Sequence, residues 1–365
     1  MKPVHSHRAG RTAAWILALG LALGTSAAGA AAAPPKEDYA FFPGPPNEPH
    51  LQFLTAFSSE REMGRNARRS FTSWLTGKKP AEKQISKPYG GVVHDHKLYL
   101  CDTDYGAVLV ADLQTRSMSL FNAHGEGTLQ VPLNISVDAA GNFYVADSGR
   151  NQIVIFDRDS NYVAAVGKAG EMAPRDVAVG PDRFYVADLK GHCVRVYDRN
   201  TREPLFTIPR ESEPKKDAAK LYMPTNLALD PHGRLYVSDT GGFEIQVFDA
   251  ATGNYERSVG EMGDGLGQFA RVKGIAVDRD CRLYAVDAMT QVAQIFDEQG
   301  RLLTWFGDPF GADMRNLPSK VMVDYDDVDA FRGMIAPGFQ VEYLVFVINQ
   351  IGPHKVSVYG FGHPK

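Results

Sequence analysis

Three short segments, each a proline followed two residues later by Asn or Asp, carry the polar side chains most able to do chemistry. They are Pro132-Leu133-Asn134, Pro174-Arg175-Asp176 and Pro224-Thr225-Asn226, and Pro318-Ser319-Lys320 places a lysine at the same offset. Amide and carboxylate oxygens suit a hard cation such as Ca²⁺, whereas an ammonium group opposes one. These residues predict a ligand site formed by Asn134, Asp176, Asn226 and Lys320, or a metal site formed by the first three. The alternative is that they bind only backbone groups.

Histidines offer a second possibility for metal binding. His94 and His96 form an HxH pair in a predicted turn, and His232 lies in an equivalent turn. An HxH pair can bind a metal, but here no third ligand follows it in the sequence, so exposed turn histidines are favoured. Serine-hydrolase GxSxG and phosphate-binding glycine motifs are absent from the sequence. No catalytic residue is therefore predicted, and a binding protein is favoured over an enzyme.

The elements that must position these residues are repeats. The unit Tyr144-Val145-Ala146-Asp147 recurs, with variation, at residues 99–102, 185–188, 236–239, 284–287 and 346–349. A period of about 40 to 50 residues is typical of a propeller blade. An apolar strand precedes most units and two strands follow, which makes four antiparallel strands per blade. The sequence predicts an all-β, six-bladed β-propeller of the NHL or TolB-like type, with the candidate residues on the strands that line the channel.

The recurring aspartates and the closure of the ring follow from the same pattern. An aspartate after a strand accepts backbone N–H bonds in the next turn, so we interpret five of them as turn-forming residues and not as metal ligands: Asp102, Asp147, Asp188, Asp239 and Asp287. The sixth unit ends after its third strand. Residues 51–57 have the pattern of a fourth strand and are predicted to complete that last blade, making residues 51–365 one domain.

The N-terminal segment is typical of an exported protein. Lys2, Arg8 and Arg11 precede an apolar run over residues 13–23, and Ala28-Gly29-Ala30 provides a cleavage site. Residues 1–30 are thus predicted to be a signal peptide and residues 31–50 a proline-rich arm, in a periplasmic or extracellular protein that is a monomeric domain without a transmembrane segment. A net charge of −4 disfavours a nucleic-acid partner. The three cysteines have no disulfide-framework spacing.

A basic segment joins the N-terminal strand to the first blade. Residues 58–87 include Arg65, Arg68, Arg69 and Trp74. An amphipathic cap over the channel entrance, a docking site for a partner and contact with an anionic membrane surface are all consistent with this composition.

The repeats resemble the NHL repeat over nearly the whole mature chain. Residues 336–361, together with Phe41-Phe42-Pro43, resemble a family of exported bacterial propellers often encoded beside multihaem c-type cytochromes. That resemblance implies a role near an extracytoplasmic electron-transfer assembly. The favoured function is a protein-binding scaffold, with a multihaem c-type cytochrome or an outer-membrane complex as the protein partner.

The Asn134, Asp176 and Asn226 arc is also similar to the metal-binding residues of calcium-dependent gluconolactonase-like propellers. Gly90 and Gly274 depart from that pattern, and Lys320 would place a cation in the same ring. No cofactor other than Ca²⁺ is suggested. A calcium-dependent lactonase-like hydrolase and a small-ligand sensor that uses the central channel are the alternatives to the scaffold.

Overall fold

The computed structural model describes residues 39–64, 83–210, 219–307 and 316–365. Tyr39–Lys365 form one compact unit. The predicted signal peptide and residues 31–38 of the predicted arm lie outside the described residues. No helix in the part of the chain that is described has the length and apolar character needed to cross a bilayer.

The described residues form six antiparallel sheets. The strands of blades 1 to 3 are β3 (Pro88–His94), β4 (Lys97–Asp102), β5 (Ala107–Asp112), β6 (Ser117–Leu120), β7 (Pro132–Val137), β8 (Phe143–Asp147), β9 (Gln152–Phe156), β10 (Tyr162–Val166), β11 (Pro174–Val179), β12 (Arg183–Asp188), β13 (Cys193–Asp198) and β14 (Pro204–Ile208). Those of blades 4 to 6 are β15 (Pro224–Leu229), β16 (Arg234–Asp239), β17 (Glu244–Asp249), β18 (Tyr255–Val259), β19 (Val272–Val277), β20 (Leu283–Asp287), β21 (Val292–Phe296), β22 (Leu302–Phe306), β23 (Pro318–Asp324), β24 (Phe339–Asn349) and β25 (Val356–Pro364). In the described residues, Gly125–Gly127 and Val328–Met334 form 3₁₀ helices.

The last blade is closed by the start of the compact unit, which confirms the predicted ring. Strand β2 (Leu51–Phe57) pairs antiparallel with β25, and β1 (Phe41–Phe42) adds a fifth strand outside it. Leu51 and Phe57 are buried, so the closing strand is part of the core. Part of the segment predicted as an arm is therefore a strand of the last blade. Phe41 also packs against Phe339, with 5.2 Å between the ring centroids.

The core consists of six apolar clusters, and each lies between two neighbouring blades. The cluster that joins blade 1 to blade 6 contains Leu100 and Phe346, together with Phe57 from the closing strand. Because the six clusters fill the six interfaces between neighbouring blades, each blade packs against a neighbour on both of its faces. The six-bladed β-propeller predicted from the sequence is confirmed.

The recurring aspartates hold the channel strands in place. Asp147 is buried and accepts hydrogen bonds from the backbone N–H groups of Gly149 and Arg150 in the following turn, at 3.0 and 3.1 Å. It also accepts them from Gln130 and Val131, at 2.6 and 2.9 Å, just before channel strand β7. The hydrogen bonds within the turn agree with the predicted role of this aspartate. The hydrogen bonds from Gln130 and Val131 fix the start of the channel strand.

Each channel strand has a register shift near its first residue. In β11, Pro174 pairs with Asp188 and Asp176 pairs with Ala187, so Arg175 is skipped. Strands β3, β7, β15 and β23 have the same shift at the same position. A bulge of this kind bends a strand and redirects side chains. The residues on and just after the bulges stand at the start of the channel strands, and we call this end of the channel its mouth.

Candidate functional site

An ion pair crosses the channel. Asp176 belongs to blade 3 and Lys320 to blade 6, which stand opposite each other in a ring of six. Lys320 Nζ lies 3.0 Å from Asp176 Oδ2, and both residues are buried. The two predicted residues with opposite charges are thus brought together across the ring.

Asp176 accepts hydrogen bonds at both carboxylate oxygens. Besides Lys320, Oδ2 accepts from Leu227 N at 3.0 Å and from Asn226 Nδ2 at 3.3 Å, while Oδ1 accepts from Val177 N at 2.8 Å. Three of the four predicted ligand-site residues therefore form one hydrogen-bonded set.

Asn134 joins this set through the backbone. Its Nδ2 donates to the carbonyl oxygen of Arg175 at 3.0 Å, in the residue that precedes Asp176. The Oδ1 atoms of Asn134 and Asn226 are buried and have no hydrogen-bond partner in the described part of the chain. Buried polar atoms without partners are rare, and they often mark a place where water, an ion or a ligand binds.

The two glycines of the ring have a steric cause. A Cβ atom at Gly90 would lie 1.7 Å from Asn134 Oδ1, and one at Gly274 would lie 2.3 Å from the Cα atom of Lys320. Neither position has room for a side chain, so neither can supply a ligand.

The channel residues do not fit a resident Ca²⁺ ion. Such an ion takes six to eight oxygen ligands. Here Asp176 is the carboxylate of the ring, and its Oδ2 already accepts three donors, one of them the ammonium group of Lys320. The predicted metal role of Asn134, Asp176 and Asn226 stays a prediction that this arrangement does not favour.

Sequence reasoning missed a second layer of residues, on the bulges one position earlier. Lys273 is 7% exposed, and its Nζ lies 5.1 Å from the centroid of the Tyr89 ring. Burial, together with the positive charges of Arg271 and Arg175, lowers the pKa of Lys273 to about 8. Burial also raises the pKa of Tyr89, which is close enough to Arg175 and Arg271 to respond to their charges.

Tyr89, Arg175, Arg271 and Lys273 are therefore close together at the mouth, and we name this group of residues the cationic cup. Within residues 39–64, 83–210, 219–307 and 316–365, no carboxylate forms an ion pair with Lys273. A buried amine with a lowered pKa in a cleft is a candidate acid–base group. Lys273 directly precedes Gly274, which aligns with the Asn and Asp positions of the other channel strands. That position was the signal in the sequence that could have pointed to Lys273.

Residues 89–309, more than half of the chain, match the family model described as SMP-30/Gluconolactonase/LRE-like region. The chain belongs to this family. The matched residues run from Tyr89 through blades 1 to 5 and include Lys273, Asn134, Asp176 and Asn226, whereas Lys320 lies beyond them.

Solved structures similar to this SMP-30/gluconolactonase-like chain share its fold at low sequence identity. A gluconolactonase from Xanthomonas campestris has a TM-score of 0.56 and 18% identity, over 85% of this chain and 89% of that one. A streptogramin B lyase has a TM-score of 0.53 and 13% identity, over 76% of this chain and 94% of that one. At these identities the likeness supports the propeller fold alone.

Two curated relatives match part of the chain. One is peptidyl-glycine alpha-amidating monooxygenase A from Xenopus laevis, with 25% identity over 178 residues, 45% of this chain and 19% of the relative. The other is a probable peptidyl-alpha-hydroxyglycine alpha-amidating lyase from Caenorhabditis elegans, with 27% identity over 112 residues, 30% of this chain and 31% of the relative. The chain spans less than a third of the length of either relative.

A second cluster with metal-ligand chemistry lies in the strand-to-strand turns of this family member. Asp230, His232 and Cys281 have ligand atoms within 4.8 Å of one another, with Cys281 Sγ 3.5 Å from His232 Nδ1. However, Asp230 Oδ2 already accepts from Arg234 Nε at 2.5 Å, and Arg234 also lies 3.2 Å from His232 Nδ1. A fixed guanidinium within the cluster opposes a metal cation.

The two histidines of the HxH pair, His94 and His96, contact different residues. His96 Nδ1 lies 2.8 Å from Asp327 Oδ1, which links blade 1 to a loop of blade 6, and this hydrogen bond raises the pKa of His96. His94 instead packs against Phe143, 6.2 Å away between ring centroids. Both histidines line a polar groove of about 600 Å³.

The four predicted partner-binding residues, Arg65, Arg68, Arg69 and Trp74, lie outside the described residues. Their role stays a prediction from the sequence.

Proposed function

We propose that this protein is a lactonase-like hydrolase whose active site is the channel mouth, with Lys273 as the acid–base residue. One observation carries the proposal: a buried lysine, Lys273, lies against the Tyr89 ring of an SMP-30/gluconolactonase-like propeller, and the charges of Arg175 and Arg271 act on it. Among the functions considered from the sequence, family membership supports the lactonase-like hydrolase better than the scaffold. This places the chemistry one residue before the positions first predicted.

In the proposed reaction, the free amine of Lys273 takes a proton from a water molecule as that water attacks the carbonyl carbon of a cyclic ester. The tetrahedral intermediate collapses, the ring C–O bond breaks, and the Lys273 ammonium returns the proton to the departing alkoxide. The products are an alcohol and a carboxylic acid, which releases its proton to water and becomes a carboxylate. A base whose pKa lies close to the working pH is well matched to this role.

Arg175 and Arg271 supply positive charge beside Lys273, and Tyr89 supplies a phenol. Charges held in place before the reaction stabilise the oxyanion of the intermediate, because they need no reorganisation. The same charges attract anions on a chain whose net charge is −4. We therefore expect small lactones that carry an acidic group to react faster than neutral ones of the same size.

The test uses the full chain treated with EDTA, a set of small acidic and neutral lactones, and acid release as the readout. Lys273→Met is expected to lower kcat/KM by about 10²- to 10⁴-fold, the usual contribution of general acid–base catalysis. The exposed Lys190 provides a matched control, and Lys190→Met is expected to change kcat/KM less than about twofold. In the wild type, kcat/KM should rise with pH through about 8, because the free amine forms as Lys273 loses its proton. Equal activity of the Lys273→Met and wild-type proteins would reject the proposal.

A small-ligand sensor is the second candidate, because the same cationic cup can bind an anion without reacting with it. Saturable binding of a small carboxylate, lost in Lys273→Met and without any turnover of lactones, would favour the sensor.

The scaffold role, the cytochrome or outer-membrane partner, the NHL assignment, bound Ca²⁺ and export remain predictions from the sequence. Recovery of one specific protein from native envelope fractions by the full chain would support the scaffold. No such partner in repeated experiments would count against it.

A further inference from the structure

We propose that the ammonium group of Lys320 is a built-in cation that takes the place of a divalent metal ion in the channel. This inference concerns the floor of the channel and does not depend on the hydrolase proposed above. Its basis is the set of contacts around Asp176 and the close packing at Gly90 and Gly274.

The first argument is the balance of charge. Asp176 and Lys320 carry opposite unit charges, are both more than nine-tenths buried, and lie 3.0 Å apart. A buried charge is tolerated when it is paired and hydrogen-bonded. Because this pair is already neutral, a divalent cation beside it would add an uncompensated double charge.

The second argument is the occupation of space. Gly274 leaves room for the backbone of blade 6, since a Cβ there would lie 2.3 Å from Lys320 Cα and 2.6 Å from the carbonyl oxygen of Ser319. Gly90 leaves room in the same way for the side-chain amide of Asn134. The two ring positions that supply no ligand are thus the ones against which Lys320 and Asn134 pack.

The third argument is the set of oxygens that remains. The Oδ1 atoms of Asn134 and Asn226 are buried without partners in the described residues, and Asp176 is the carboxylate beside them. Amide and carboxylate oxygens are hard-cation ligands. If the lysine side chain were shortened, these oxygens and water could bind an external cation in its place.

The experiment follows thermal unfolding of the full chain in EDTA and in about 1 mM Ca²⁺, a range that includes weak protein sites. We expect the melting temperature of the wild type to be the same in both conditions, and calorimetry to detect no Ca²⁺ binding. Lys320→Ala should melt lower in EDTA by about 5 °C or more, because Asp176 loses its counter-charge. Calcium should then restore at least half of that loss.

Three further variants separate the possible explanations. Lys320→Arg keeps the charge and should not respond to Ca²⁺, and the double variant Lys320→Ala with Asp176→Asn should not respond either. Lys97→Ala, which removes a partly exposed lysine 3.8 Å from Asp95, controls for general effects of losing a charge.

Wild-type binding of one Ca²⁺ that Asp176→Asn abolishes would overturn the proposal. So would a folded Lys320→Ala protein that gains nothing from Ca²⁺. If Lys320→Ala does not fold, the wild-type and Lys320→Arg measurements still decide the matter. None of these readouts requires turnover, so their outcome is separate from that of the lactonase assay.

Discussion

Aspartates in this propeller pair with cations in two different ways. In the strand-to-strand turns, Asp230, Asp278 and Asp297 each bind an arginine four residues later, at 2.5, 2.6 and 2.6 Å. In the channel, Asp176 binds Lys320 from the opposite blade, 144 residues away, at 3.0 Å. The two kinds of pair have similar chemistry but a very different reach along the chain.

The turn pairs belong to the repeat. Asp230 Oδ1 also accepts the backbone N–H groups of His232 and Arg234, at 2.9 and 2.8 Å, so the carboxylate shapes the turn. The channel pair has no equivalent in the other described blades. In a repeat protein, a polar group that recurs at one position serves the repeat, whereas one that departs from it is the better candidate for function.

The largest effect should come from breaking the channel pair. Asp176→Asn leaves Lys320 buried without a counter-charge and is expected to lower the free energy of unfolding by about 3–5 kcal/mol. Arg301→Ala removes an arginine of a turn pair that is 77% exposed and should cost less than about 1 kcal/mol. Urea denaturation measures both, and equal losses would show that the comparison between the two kinds of pair is wrong.

A smaller loss is expected from filling the space of a channel glycine. Gly90→Ala places a methyl group against Asn134 Oδ1 and should cost about 1–3 kcal/mol through overpacking. Gly44→Ala is the control, because no atom lies within 4 Å of the added group, and it should change stability by less than about 0.5 kcal/mol. Full stability of Gly90→Ala would mean that the channel ring is looser than described.

Stability should change little when the turn cluster of Asp230, His232 and Cys281 is altered, and a metal ion should not change it. Cys281 has a positive φ of 60°, where the equivalent turns place Gly141 and Gly233. Cys281→Gly relieves that conformation but loses a buried side chain, so we expect a net change within about 1 kcal/mol. Thermal unfolding with Zn²⁺ should not differ from that without it. Stabilisation by Zn²⁺ in the wild type, absent from Cys281→Gly, would show that Arg234 does not exclude a metal.

The smallest effect concerns pH. The hydrogen bond that His96 donates to the Asp327 carboxylate raises the pKa of His96 above its ordinary value near 6.5. Its contribution to stability is therefore present below pH 6.5 and is lost as the pH rises through the raised value. The wild-type melting temperature should fall more than that of His96→Gln between about pH 6 and 8. The exposed His124 provides the control, and His124→Gln should retain the wild-type profile.

The blades and their closure were predictable because they depend on short-range patterns. Each unit repeats a strand, a turn aspartate and another strand, and residues 51–57 have the pattern that the sixth unit lacks. The aligned offset after the prolines also predicted that Asn134, Asp176, Asn226 and Lys320 share one ring. Their direct contacts were not predictable, because the reach across the channel depends on how all six blades pack.

By itself, the sequence determined the number of blades, the closing strand and the ring on which the polar residues lie, since all three follow from periodicity and turn chemistry. Only the tertiary structure decided that Lys320 pairs with Asp176 and that Lys273 meets Tyr89. There are two physical reasons. The bulge at the start of the channel strands interrupts the alternation of side chains. The closed ring of blades brings together residues that are far apart in the chain.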